Sequence, residues 1–145
     1  MNKLSQFIIA YITFIIIDSP WLAYSGKYFS EVAGGTEIEV YPAAALAYLA
    51  LAAAIVYIGI PLGEYYKDYP VLIPGVLIGF CVYFCFDMTN RVIFGKRYPW
   101  WLALSDTAWG MFASTVTLAI VRYLSTEWNH SIRTGTTLPS GNCSS

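Results

Sequence analysis

The chain has 145 residues, of which 57% are hydrophobic and only 12% are charged, and its mean hydropathy is +0.55. A soluble domain is about 25% charged, so this composition argues against a soluble fold and indicates an integral membrane protein in contact with a lipid bilayer. The formal net charge of -1, from 8 basic and 9 acidic residues, supplies no basic surface for nucleic acid and excludes that class of partner.

Four apolar runs follow one another along the chain, each long enough to cross a bilayer. We predict an all-α, multi-pass transmembrane bundle in residues 1–128, with helices over about 4–24, 41–62, 71–90 and 100–123. The first run carries Asp18 and lacks a small-residue cleavage site, so we interpret it as a retained helix and not as a signal peptide. Residues 129–145 are rich in Ser, Thr and Gly, which predicts a flexible polar C-terminal tail.

Small residues in the predicted helices indicate close helix packing. Gly75 and Gly79 have the small-xxx-small spacing in helix three, and Gly110 lies on the polar face of helix four. The alanine-rich run of helix two predicts a central position in the bundle. Lys and Arg residues are divided equally between the two sides of the membrane, so the positive-inside rule assigns no orientation.

Three aspartates lie inside the predicted helices, where an ionisable side chain costs about 2.5 to 3.5 kcal/mol at the helix centre. Asp18 comes late in helix one, Asp87 late in helix three and Asp106 early in helix four. Because successive helices alternate in direction, all three fall in the same half of the membrane. Helical spacing adds further side chains to the same faces. The predicted intramembrane pocket comprises Asp18, Tyr83, Asp87, Asn90, Arg91, Asp106 and Trp109.

A purely structural role for these aspartates stays open beside the pocket. Asp87 would then pair with Arg91 on the next turn, and Asp106 would lie near the positive end of helix four. Asp18 would be an interfacial residue near a helix end. Each aspartate lies within about two turns of an interface, where a charge costs less than at the midplane.

Other chemistries have little support in the sequence. The single histidine, His130, lies in the tail, and neither a nucleophile beside a base nor a Gly-rich phosphate loop is present, so we expect no enzymatic activity. Cys81 and Cys85 are four residues apart in helix three and Cys143 stands alone, which argues against a disulfide framework. A metal site would need more His or acidic partners, so we expect neither metal nor cofactor.

Several short motifs resemble a known family. The segments Phe-Asp-Met-Thr-Asn at 86–90, Pro-Trp at 99–100 and Asp-Thr-Ala-Trp-Gly at 106–110 are similar to small four-helix membrane proteins described as domain of unknown function 2177. The Asp-Ser-Pro-Trp-Leu run at 18–22, Tyr28 and the run 43–48 fit the same pattern. This resemblance implies a four-span bundle without an assigned activity, in a family that is mainly bacterial with relatives in large DNA viruses of algae. The acidic insertion at 31–39, the basic residues of the third loop and the polar tail depart from the pattern.

From these features we expect a non-enzymatic membrane component that anchors or assembles a larger structure. The helices would be the anchor, and the loops or the tail would contact a protein partner, such as a capsid component above an internal virion membrane. The alternative is a small transporter, channel or proton-coupled membrane protein that uses the aspartate pocket. Association between identical chains and the identity of the membrane stay open.

Overall fold

Four long helices make up the part of the chain that the structure, a computed structural model, describes: residues 1–32, 34 and 40–134. Helix one is Lys3–Val32 and helix four is Trp100–Thr134. Helix two begins with Val40–Ala54, continues through a π-helical turn at Ile55–Gly59 and ends with Ile60–Tyr65. Helix three begins with Leu72–Gly79 and continues through a π-helical turn at Phe80–Phe84 into Cys85–Phe94. A 3-10 turn at Gly95–Arg97 ends it. All four are long and apolar enough to cross a membrane. The predicted all-α four-helix membrane bundle is confirmed.

Helices one and four run antiparallel and are in contact near both ends. Near one end, Gln6 Nε2 donates a hydrogen bond to Ser125 Oγ at 3.1 Å. Near the other end, the Tyr28 ring meets the edge of the Trp101 ring with centroids 4.9 Å apart. These two contacts fix the register of the pair along its whole length.

Helices three and four approach each other at glycines. A Cβ atom on Gly75 would lie 2.5 Å from Thr115 Cα, and one on Gly79 would lie 2.5 Å from Met111 Cα. Real Cβ atoms do not come so close to another backbone, so only glycine permits this separation. The close approach brings the polar face of helix three against helix four.

The apolar side chains divide between a packed interior and a surface that suits lipid. Phe14, Ile55 and Leu118 are fully buried at the centre of the bundle. Ile16 and Leu46 are among many large apolar side chains that remain exposed on the outside. A surface of this kind is expected where the surrounding medium is hydrocarbon.

The helices are longer than the predicted ranges. Helix one continues from Tyr24 to Val32, helix three continues past Asn90, and helix four continues from Tyr123 to Thr134. The predicted ends lie where hydropathy falls. The polar residues that follow each predicted end are compatible with a helix and include no proline. Contacts between the ends, such as that between Tyr28 and Trp101, hold the added turns. Most of the predicted tail at 129–145 and of the acidic insertion at 31–39 lies outside the described residues.

Candidate functional site

Asp18 joins helices one, two and four. Its side chain is buried and accepts two hydrogen bonds, from Tyr48 Oη to Oδ2 at 2.9 Å and from Trp109 Nε1 to Oδ1 at 2.8 Å. Helix one brings Asp18 inward because it repeats buried positions every four residues at Gln6, Ala10, Phe14 and Asp18. Both carboxylate oxygens therefore have donors from neighbouring helices.

Asp106 and Trp21 form the counterpart of the bond between Asp18 and Trp109. Trp21 Nε1 of helix one donates to Asp106 Oδ1 of helix four. The two indole rings stack against each other, with centroids 5.6 Å apart and planes 16° from parallel. Each helix thus carries an Asp-x-x-Trp sequence, and each tryptophan donates to the aspartate of the other helix. We call this reciprocal set, Asp18, Trp21, Asp106 and Trp109, the Asp–Trp clasp.

Asp87 is fully buried and accepts hydrogen bonds at both oxygens. Tyr98 Oη donates to Oδ1, and Thr107 Oγ1 donates to Oδ2 at 2.6 Å. The carboxyl groups of Asp87 and Asp106 also lie close enough to interact with each other. An ionised carboxylate only accepts hydrogen bonds, so a hydrogen bond between these two carboxyl groups would require a proton on one of them.

No cation neutralises this cluster among the described residues. The interactions of Asp18, Asp87 and Asp106 are with Tyr, Trp and Thr donors and with one another. Arg91 instead donates from Nη1 to the backbone carbonyls of Gly95, at 2.8 Å, and Tyr98, with its guanidinium 4.8 Å from the Trp100 ring centre. The alternative in which Asp87 pairs with Arg91 is therefore wrong, because the guanidinium binds these two carbonyls in the turn at Gly95, whose φ is positive.

Tyr83 lies at the centre of the cluster. Its ring packs directly against Gly110, where any Cβ atom would overlap it, and it interacts electrostatically with all three aspartates. Tyr83 lies within the π-helical turn of helix three, and such turns occur frequently at functional sites because they redirect side chains. The extra residue in the turn helps aim the phenol at the cluster.

Tyr98 lies between the spans of helices three and four and covers the aspartate cluster at that end. Burial, together with the carboxyl group of Asp87, raises the pKa of the Tyr98 phenol above its usual range. The hydroxyl therefore stays protonated and able to donate to Asp87. Asn90, one of the predicted pocket residues, lies close to the Tyr98 side chain.

A cavity of about 360 Å³ opens at the same end of the bundle. It is lined by Tyr28, Glu31, Val32, Arg97, Pro99 and Trp101. Two of these residues flank Tyr98 in the chain, so the cavity lies beside the residue that covers Asp87. Among the described residues, no group of three or more His, Cys, Asp or Glu side chains is arranged to hold a metal ion.

The structure brings together most of the predicted pocket and adds donors that the sequence analysis missed. Asp18, Tyr83, Asp87, Asp106 and Trp109 lie together, whereas Arg91 is directed away. The missed residues are Trp21, Tyr48, Tyr98 and Thr107. For Trp21, a signal was present in the sequence, because Trp21 follows Asp18 with the spacing by which Trp109 follows Asp106.

A comparison with known families accounts for most of the chain. The model of the family described as "Predicted membrane protein (DUF2177)" matches residues 3–124. The chain belongs to this family. In this DUF2177 member the match includes parts of all four helices and every residue of the aspartate cluster. No curated protein and no solved structure matches the chain.

Proposed function

We propose that this DUF2177 protein moves protons across its membrane by way of the aspartate cluster. The observation that carries the proposal is the cluster of three buried aspartates, in which the carboxyl groups of Asp87 and Asp106 lie close enough to share a proton. Ionisable residues inside membrane helices commonly mark proton relays and ion pathways because they are otherwise so costly to keep there. Here the cost is repeated three times, without a cation among the described residues to offset it.

The packing of the cluster favours a proton over a larger solute. Both oxygens of Asp18 and both oxygens of Asp87 already accept hydrogen bonds from Tyr, Trp or Thr donors. A metal ion or an organic solute would have to displace these donors. A proton needs no added volume and moves along hydrogen bonds that are already formed. The cavity beside Tyr98 would supply the exchange with water on the side of loops one and three.

The proposal involves no catalysis. In it, the hydroxyl groups of Tyr48, Tyr98 and Thr107 stabilise the carboxylates and do not attack a substrate. Their donor roles support this assignment, since each hydroxyl directs its proton at an aspartate oxygen. The cycle that we propose only binds and releases protons.

The test is proton flux into liposomes that contain the full chain and a trapped pH-sensitive dye. Asp106→Asn keeps an oxygen for Trp21 and offers an amide donor to Asp87, but it cannot release a proton. We expect flux to fall at least about tenfold, which corresponds to about 1.4 kcal/mol in the barrier. Asp68→Asn is the matched control, because Asp68 is exposed in the second loop. Wild-type flux equal to that of empty liposomes would rule the proposal out.

Anchoring of a larger structure is the second candidate, and the length of helix four favours it. Trp100–Thr134 is roughly 52 Å long at 1.5 Å per residue, whereas the hydrocarbon core is about 30 Å thick. The last turns, with an exposed Trp128, would extend beyond the core and offer a contact surface, for example to a capsid component over a virion membrane. Crosslinking mass spectrometry on the native membrane tests this: reproducible links to one partner support it, and links only between copies of the chain contradict it.

A further inference from the structure

Helix four buries a line of polar side chains that leads away from the aspartate cluster. Positions 106, 110, 114, 117, 121 and 125 are three or four residues apart and so share one helical face. Four of the six carry polar side chains: Asp106, Ser114, Thr117 and Ser125. All six are buried except Ser125, which is partly buried. We call these four residues the polar seam.

Two hydroxyl groups in the middle of the polar seam have no hydrogen-bond partner in the described part of the chain. Ser114 and Thr117 are both 0% exposed, and neither Ser114 Oγ nor Thr117 Oγ1 is bonded. Serine and threonine in helices usually bond the carbonyl four residues earlier. Thr115, Ser125 and Thr126 do so in this same helix. The hydroxyl groups of Ser114 and Thr117 are therefore directed away from their own backbone.

A third unpartnered polar atom lies at the far end of the polar seam. Gln6 is buried and its Nε2 donates to Ser125 Oγ, while its Oε1 has no partner among the described residues. The antiparallel register places Ala10 of helix one near the level of Thr117.

The polar seam is as long as a membrane is thick. From Asp106 to Ser125 the helix rises roughly 28 Å at 1.5 Å per residue, compared with about 30 Å for the hydrocarbon core. Its polar groups thus begin at the aspartate cluster in one half of the membrane and end at the opposite interface. Buried hydroxyl and amide groups that lack protein partners are the usual binding sites of internal water.

We propose that Ser114 and Thr117 bind internal water molecules and that these waters carry protons between Gln6 and the aspartate cluster. This inference rests on the proposed function, because it supplies the path from the aspartate cluster to the opposite interface. Each water accepts a proton from one neighbour and releases another to the next, so no atom is consumed. The Asp87–Asp106 pair takes up the proton and later releases it on the side of the cavity.

The test extends the liposome assay with variants of the polar seam. Thr117→Val keeps the shape of its side chain and Ser114→Ala removes a single oxygen atom, and each removes an unpartnered hydroxyl group, so both are expected to fold. We expect each to reduce proton flux about tenfold, the effect of losing one hydrogen bond at the barrier. Thr126→Val is the matched control, because Thr126 is exposed and bonds its own helix at Arg122 O; its flux should equal that of the wild type.

The outcomes separate this inference from the proposed function. Loss of flux in Asp106→Asn together with full flux in both seam variants would overturn the water path and leave the proposed function standing. A wild-type protein without flux would overturn both. Water-edited solid-state NMR of the full chain in bilayers gives a second readout. Transfer of magnetisation from water to Ser114 and Thr117 supports the path. Absence of this transfer, which is expected if the two hydroxyl groups bond Gly110 O and Ala113 O, overturns it.

Discussion

The Asp–Trp clasp yields the sharpest test of the structure. Trp21→Phe removes the indole donor to Asp106, and Trp109→Phe removes the indole donor to Asp18. A hydrogen bond to a charged group contributes about 1.5 to 3 kcal/mol, so each variant should lower the free energy of unfolding by about 2 kcal/mol. Trp21→Phe should cost more, because Asp18 keeps the bond from Tyr48 whereas Asp106 keeps only its contact with the other carboxyl group.

The stacked rings add a signature that independent sites would not show. The rings of Trp21 and Trp109 are 5.6 Å apart, and an aromatic pair of this kind contributes about 0.5 to 1.5 kcal/mol beyond burial. Phenylalanine weakens the stack in either single variant. The double variant should therefore lose less than the sum of the two singles, by several tenths of a kcal/mol or more.

The assay is equilibrium unfolding of the purified protein in mixed detergent micelles, followed by far-ultraviolet circular dichroism. Trp128→Phe is the matched control, because Trp128 lies on the same helix and is 58% exposed. Its free energy of unfolding should stay within about 0.5 kcal/mol of the wild type. If Trp21→Phe and Trp109→Phe behaved like this control, the indoles would not be bonded to the aspartates and the clasp would be wrong.

Two further variants test the close helix packing and the cover of the cluster. Gly79→Ala places a methyl group 2.5 Å from Met111 Cα, so it should lower the free energy of unfolding by about 1 to 3 kcal/mol in the same assay. Gly26→Ala is the control, because the space around its Cβ is open, and it should not destabilise the protein. Tyr98→Phe removes a donor to Asp87 and should cost about 1 to 3 kcal/mol below pH 10. Because folding raises the pKa of Tyr98, the stabilising effect of its hydroxyl is lost as the pH rises toward the pKa of the folded state. The free energy of unfolding should therefore fall less steeply with alkaline pH in Tyr98→Phe than in the wild type. Equal pH profiles of the two proteins would contradict this.

The sequence predicted the four-helix bundle from hydropathy, and it predicted that the three aspartates lie at one level of the bundle because successive helices alternate in direction. It could not predict which donors bind them. Tyr98 has the sequence position of an interfacial aromatic residue, next to the start of helix four. Only the fold of the hairpin directs it inward to Asp87. Tyr48 is one tyrosine in an alanine-rich run, and its role depends on the rotation of helix two toward Asp18.

The ion pair between Asp87 and Arg91, which the structural alternative expected, shows where local spacing misleads. Residues four apart on a helix are close enough to pair, and Arg91 lies near the end of its helix. Yet the Arg91 guanidinium donates to the carbonyls of Gly95 and Tyr98, and these bonds hold the hairpin together. Asp87 is then left to a tyrosine, a threonine and a second aspartate, a set drawn from parts of the chain that no local pattern connects.

Asp106 connects the Asp–Trp clasp with the buried carboxyl group of Asp87. It accepts a hydrogen bond from Trp21, which belongs to the Asp–Trp clasp, and its carboxyl group lies beside that of Asp87. A protonated carboxyl group is a weaker acceptor than a carboxylate, because charge-assisted hydrogen bonds are roughly twice as strong as neutral ones. In the proposed function, a proton on Asp106 would therefore weaken the contact between helices one and four. Proton binding and helix packing would then be coupled through this one side chain.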